Sequence, residues 1–240
     1  MTNRPISALS SSPARPRLAA AGAILLAMTG AVGACTAAQA SAIRLPPPAV
    51  DAPAAGGLQT AILAGGCFWG VQGVFEHVRG VKQVVAGYAG GKRATANYET
   101  VSTRTTGHAE SVPITFDPKQ ITYGEILRLF FSVATDPTQV NRQFPDTGPQ
   151  YRSEIFYANP AQKAVAERYI AQLDRSRLFG HPIATRVDPV TGFFRAEAYH
   201  QDYLARHPDA PYIATFDAPK VAALKALFPA RYRAAPVTAL

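Results

Sequence analysis

Gly65-Gly66-Cys67-Phe68-Trp69-Gly70 is the stretch on which the reading of this 240-residue chain turns. Ahead of it, Leu58 to Leu63 has the short apolar run of a strand. Behind it, Phe68, Val71, Val74 and Phe75 recur at the spacing of a helix running from Cys67 to His77. The glycines therefore mark a strand-to-helix turn that lets another molecule approach the backbone closely. A cysteine in a first helical turn faces unpaired N–H groups and the positive end of the helix dipole. Both favour thiolate, and reactive cysteines so placed have pKa values of roughly 3.5–7.5. Cys67 is the candidate nucleophile, expected with a depressed pKa. Phe68 and Trp69 are adjacent and cannot both face inward along one helix face, so at least one is expected to line a surface pocket.

Farther out, Val81 to Tyr88 reads as a second strand. Val112, Ile114 and Phe116 alternate with Ser111, Pro113 and Thr115, the period of a half-buried strand, and Pro113 places it at an edge or a bulge. Tyr123 to Val133 has an amphipathic helical pattern, and the long polar stretch Asp136 to Gln150 reads as a functional loop. Ile155 to Tyr157 and Ile183 to Val187 are strand-like. Ala161 to Leu173, Glu197 to Leu204 and Val221 to Leu227 are helical. Strands and helices alternate without the continuous apolar runs of a fully parallel sheet, which predicts an α+β fold with a mixed sheet.

The composition supports a globular protein: 48% of residues are hydrophobic and 17% charged. The formal charge is +8, but Arg4, Arg15 and Arg17 lie in an acid-free N-terminus. The remainder has 21 basic and 16 acidic residues, or +5, spread without a basic block, so no nucleic-acid partner is expected. Those three arginines precede an apolar run from Leu18 to Ala34 that is short and broken by Gly30 and Gly33. Val32-Gly33-Ala34-Cys35 resembles a lipobox, which would anchor the mature chain by a lipid on Cys35. Ala38-Gln39-Ala40 instead fits ordinary signal-peptide cleavage. Either reading makes residues 1–40 an export signal and the protein periplasmic or cell-envelope. Residues 41–57, rich in Pro, Ala and Gly, then read as a tether, 58–215 as a catalytic domain and 216–240 as a C-terminal tail. Of the chain's two cysteines, Cys35 is lipidated or removed, leaving Cys67 without an internal partner.

The glycine–cysteine stretch has companions. Gly66-Cys67-Phe68-Trp69-Gly70, Ala86-Gly87-Tyr88-Ala89-Gly90-Gly91, Asn97-Tyr98-Glu99-Thr100-Val101 and Thr106-Gly107-His108-Ala109-Glu110 follow one another. Asp136-Pro137-Thr138, Asn141-Arg142-Gln143, Asp146-Thr147-Gly148, Gln150-Tyr151-Arg152-Ser153 and Ala198-Tyr199-His200-Gln201-Asp202-Tyr203 complete the series. In content and order, from about Leu58 to Pro208, this resembles the peptide methionine sulfoxide reductase A family.

The resemblance implies a two-layer α+β sandwich with a ferredoxin-like core, no cofactor and no catalytic metal. It implies reduction of methionine S-sulfoxide, peptide-bound or free, through a Cys67 sulfenic acid. Glu110 would give a proton to the sulfoxide oxygen, which otherwise leaves poorly. Tyr98 and Tyr151 would hold that oxygen, and Asp146 would stand on the substrate side. Phe68 and Trp69 would receive the methyl group. Ser102 and the stretch from Pro208 onward offer no second cysteine, so a thioredoxin-like or glutaredoxin-like thiol would regenerate a monomeric enzyme that repairs oxidatively damaged proteins. Gln72 stands where a glutamate is common. Arg104, Phe144 and Pro149 stand where glycine, glycine and threonine are expected. Competing readings are a thiol peroxidase and a non-enzymatic, lipid-anchored peptide-binding module. His108-x-Glu110 matches part of a zinc-deaminase signature, but no paired cysteines follow.

Overall fold

A computed structural model describes residues 42–53 and 56–239. Cys35 and both processing sites lie outside them. Strand β1 (Gln59–Gly65) leads through Gly66 and Cys67 into helix α1 (Phe68–Glu76), as the glycine pair predicts. Gly66 adopts φ +98°, and a side chain there would also meet Gln143 Cβ at 2.6 Å, so the turn requires glycine on two counts. Next come β2 (Val81–Val84), β3 (Gly87–Ala89), the short helix α2 (Tyr98–Ser102) and the long strand β4 (Ala109–Phe116). Helix α3 (Tyr123–Leu129) is followed by a two-residue hairpin, β5 (Arg142–Gln143) with β6 (Asp146–Thr147), then β7 (Ser153–Tyr157) and α4 (Pro160–Ser176). Strands β8 (Arg186–Pro189) and β9 (Phe193–Arg195) precede α5 (Tyr203–Arg206) and α6 (Ala218–Leu227).

Seven strands form one sheet in the order β8-β7-β1-β4-β3-β9, with β2 also paired to β4. Only β7 and β8 run parallel, so the sheet is mixed and the fold is α+β. Leu63, Val112, Ile114, Phe116 and Ile155 join a core with Val71, Val74 and Phe75 of α1, Ile126 and Leu127 of α3, and Val165, Tyr169 and Leu173 of α4. A smaller cluster of Ala64, Ala89, Ala109 and Phe156 draws on other sheet positions, as the two-residue period requires of Leu63 and Ala64.

Four expectations are corrected. Val81 to Tyr88 is two strands, broken at Val85, and both pair with β4. Pro113 is consequently not at an edge: β4 lies between β1 and the β2–β3 line. Its carbonyl accepts from Val85 N–H at 3.3 Å, and proline has no N–H to return the paired bond to Val85, which is where β2 and β3 part. The helix from Tyr123 ends at Leu129 and gives way to a π turn over Phe130–Ala134. The presumed Glu197–Leu204 helix is a 3₁₀ turn (Ala198–His200) and α5, separated by Gln201 and by Asp202 in a left-handed conformation.

The segments read as tether and tail are both built into the fold. Leu45 is fully buried in the core, and the backbone around it is claimed by side chains. Arg128 Nε donates to Leu45 O at 2.7 Å, Tyr169 Oη to Pro46 O at 2.8 Å and Gln172 Nε2 to Pro47 O at 2.9 Å. At the other end, α6 buries Leu224 and the chain continues with buried Phe228 and a bridge between Tyr232 and Val78. Proline-rich composition signals an extended backbone, not a solvated one, and these carbonyls found donors.

Candidate active site

Cys67 caps α1 from the turn, buried, and is the one free cysteine among the described residues. Glu110 comes from β4. It shares a strand face with Val112, Ile114 and Phe116, and this alternation aims it at the core, where it is 3% exposed. Its Oε2 accepts from Phe68 N–H at 3.0 Å, so the carboxyl satisfies one of the orphan donors at the start of α1. Burial pushes the Glu110 pKa up to about 8, against the lowering effect of that hydrogen bond. At neutral pH Glu110 is an acid with its proton in place.

The thiol differs from expectation. Burial pushes Cys67 well above its ordinary value. Negative charge on Glu110 and then Asp217 adds to this, the Trp69 N–H opposes it, and Asp146 adds a little more. The helix start is present but is outweighed by desolvation and by carboxyl groups distant in sequence. Cys67 rests as a thiol.

Trp69 is held on three sides. Its indole stacks on Tyr203 (centroids 3.9 Å, planes 10° apart) and meets the edge of Tyr212 at 5.9 Å. Its Nε1–H donates to His200 Nδ1 at 3.2 Å. Phe68 lies 5.8 Å from Tyr88 and 5.0 Å from His200. Phe68 is buried and Trp69 half-buried, so the pair divides as its adjacency requires.

Tyr98 opens α2 and is 38% exposed, with its ring 4.7 Å from His200. Tyr151 ends the 3₁₀ turn Pro149–Tyr151 and is half-buried. Burial raises both phenols. Glu110 is the next cause in each case, and Asp146 and Cys67 also act on both, so the two hydroxyls share one electrostatic neighbourhood with the thiol. Asp146 starts β6 and accepts from the Tyr212 hydroxyl; burial raises it and that bond opposes the rise. The loop carrying Asp146 is anchored by Gln143. The Gln143 amide donates to Asp136 O at 2.6 Å and accepts from Asp136 N–H at 3.0 Å, while its side chain packs against Gly66. Phe144 sets its ring edge-on to Phe216 at 5.8 Å. All seven residues singled out from the sequence therefore converge.

Others were not singled out. Tyr212 precedes the π turn Ile213–Asp217 and Asp217 ends it, in a region read partly as domain end and partly as tail. Asp217 is fully buried, pairs with Lys220 at 3.0 Å and sits so close to Gly70 that a side chain there would clash. The sequence signal was faint: Asp217-Ala-Pro-Lys220 reads as an ordinary helix start. His200 and Tyr203 lay within a quoted motif but had no assigned role.

A buried cysteine beside a protonated acid, walled by aromatic rings, defines a thiol-dependent redox enzyme. Residues 59–231 match the family model described as peptide methionine sulfoxide reductase, and the chain belongs to that family. A peptide methionine sulfoxide reductase of Mesorhizobium japonicum is 56% identical over 191 residues, covering 80% of this chain and 98% of the relative. One from Thermus thermophilus is 51% identical, covering 68% of this chain and 91% of its own length. Among solved structures, methionine sulfoxide reductase A of Corynebacterium diphtheriae superposes with a TM-score of 0.59 at 31% identity, covering 72% of this chain and 88% of that one. Family membership decides for the reductase over the peroxidase and the inert binding module.

Proposed function

We propose that the protein reduces methionine S-sulfoxide to methionine at Cys67, with Glu110 as the acid and an external thiol as the reductant. The observation that carries this reading is the neutral Glu110 bonded to the N–H that follows Cys67. In the first step Cys67 sulfur attacks the sulfoxide sulfur. Glu110 gives its proton to the oxygen and takes the thiol's proton in return, methionine departs, and Cys67 carries the oxygen as sulfenic acid. Glu110 thus ends the step as it began. Tyr98 and Tyr151 hold the oxygen by their hydroxyls, where charge changes during the step. Phe68 and Trp69 take up the methyl group, and Asp146, held by Tyr212, borders the substrate.

Recycling needs two equivalents of outside thiol. The first displaces water from the sulfenic acid to give a mixed disulfide, and the second releases Cys67 as thiol. A thioredoxin-like or glutaredoxin-like protein fits this chemistry, since Cys67 has no cysteine partner among the described residues. We assign the site of action to the cell envelope, on the strength of the Arg-led apolar N-terminus and the Cys35 lipobox, with the chain acting as a monomer on exported proteins.

The test is turnover of a methionine S-sulfoxide peptide with dithiothreitol, followed by mass. Loss of about sixteen mass units, the sulfoxide oxygen, is expected from the wild type and not from Cys67→Ser. Equal loss in both would sink the assignment. Without reductant, a sulfenic-acid trap should label one cysteine per chain. Membrane fractionation and the mass of the mature N-terminus test the lipid on Cys35.

A further inference from the structure

One carboxylate ties together three walls of the site that come from distant parts of the chain. Glu197 stands in the turn after β9, just before the Ala198–His200 turn. Its Oε1 accepts from the N–H of Tyr98 at 2.9 Å. Its Oε2 accepts from the Tyr88 hydroxyl at 2.9 Å and lies 3.9 Å from His200 Nε2. We propose that Glu197 is a positioning residue that sets Tyr98 and His200 against the Phe68–Trp69 pair. This rests on the reductase reading of the same site.

Tyr98 needs such a hold. Helix α2 has five residues, too few to be stable alone, and Tyr98 is its first. Two contacts fix its start: Asn97 Oδ1 accepts from Thr100 N–H at 3.1 Å, and Glu197 accepts from Tyr98 N–H. Of these two only the second acts directly on Tyr98, whose hydroxyl is also hydrogen-bonded by the Ser102 side chain from the other end of α2. A hydroxyl that must meet a sulfoxide oxygen tolerates little displacement.

His200 needs a tautomer. Because Trp69 Nε1–H donates to Nδ1, the neutral ring carries its proton on Nε2, the nitrogen facing Glu197. The titratable groups around His200 are Glu197 and the phenols of Tyr98 and Tyr199; its other faces are Phe68 and Trp69. Burial pulls His200 toward the neutral form, and Glu197 pulls the other way. Burial alone would raise Glu197. The Tyr98 N–H, its own backbone N–H and the Tyr88 hydroxyl instead hold it below the ordinary carboxylate value, which favours its charged form. The same carboxylate reaches the back of the Phe68 wall through Tyr88, whose ring neighbours Phe68.

The test uses the full chain with Glu197→Ala and Glu197→Gln. The alanine variant should lose about tenfold in kcat with KM within about twofold, because the hydroxyl acts in the transition state and the aromatic walls bind the ground state. Glutamine keeps an acceptor for Tyr98 N–H and should restore most of the loss. A second readout needs no turnover. Trp69 is the sole tryptophan of the chain, and a protonated His200 cannot accept from it. The acid titration of its fluorescence therefore follows His200, and its midpoint should fall in both variants, since neither can stabilise the imidazolium by charge. An unmoved midpoint, or an alanine variant with wild-type kcat, overturns the proposal. If the wild type fails to reduce sulfoxide, the reductase reading fails instead, while the fluorescence titration still reports on the Glu197–His200 tie.

Discussion

A buried acid sits at each end of helix α1. At the start, Glu110 meets Phe68 N–H and is pushed up to about 8; at the end, Glu76 is fully buried and pushed up to about 9. Burial leads in both cases, and for Glu76 a hydrogen bond with Asp202 and then its charge add to the rise. By protonation alone the two are the same object. Their surroundings differ. Around Glu110 stand a thiol, two phenols and an aromatic wall, with Tyr98 open to solvent. Around Glu76 the chain closes: Val237 N–H donates to Glu76 O at 3.0 Å, and Ala239 N–H to Asp202 Oδ1 at 2.7 Å. Gln72, standing where glutamate is common, bonds both Asp202 and Val84 O, each at 3.2 Å. A raised carboxyl marks chemistry only where a nucleophile and a route for substrate accompany it.

The comparison breaks most visibly in activity. Glu110→Gln should lower kcat by about 10²–10⁴-fold in the peptide assay, the usual worth of a general acid. Glu76→Gln should leave kcat within about twofold. For the wild type, kcat/KM should fall as pH rises through about 8, since the acid form does the work and is lost above that value. That limb should vanish from the residual activity of Glu110→Gln. A large loss in Glu76→Gln would show that both ends of α1 serve the chemistry.

The two ends were also unequally legible from sequence. The Cys67 end rests on local signals: a glycine pair between a strand pattern and a helix pattern, and an alternation along 110–116 that aims Glu110 inward. What sequence reading missed there was the sign of the Cys67 shift. The helix start is visible in six residues, whereas Asp217 is brought in by a turn 150 positions away. The Glu76 end was not legible at all. Nothing in the composition of 216–240 says that its backbone N–H groups will cap α1, and Pro/Ala richness in 41–57 hides the docking of Leu45. Arg104 is a case where sequence and structure agree: glycine is expected there, and the residue takes φ +70°.

Stability gives the next largest contrast. An unfolded glutamate titrates at its ordinary value near 4.5, while folded Glu76 keeps its proton to about 9. Between those values the folded chain holds a proton that the unfolded chain has lost, so stability falls as pH rises through that window. The loss should reach several kcal/mol, on the order of 5 to 6 by pH 9. Denaturant titrations at pH 5, 7 and 9 should show this slope, and Glu76→Gln should flatten it. Glu110 contributes a slope of the same sign over a narrower range, so its glutamine variant should flatten the profile less.

The smallest expected effect isolates what closes the silent end. Truncation after Ala235 removes the Val237 and Ala239 donors and lets water reach Glu76. Loss of these two hydrogen bonds, with the exposed one from Arg195 to Ala239 O, should cost about 1–3 kcal/mol at pH 6. At pH 9 the cost should be smaller, because a solvated Glu76 can ionise and no longer penalises the folded state. The sign of that pH dependence separates this account from a simple loss of packing, which would cost the same at both values. Peptide reduction should stay within about twofold of the full chain. A truncated protein with an unchanged pH–stability slope would mean that packing against α1 itself, and not the C-terminal residues, keeps Glu76 dry.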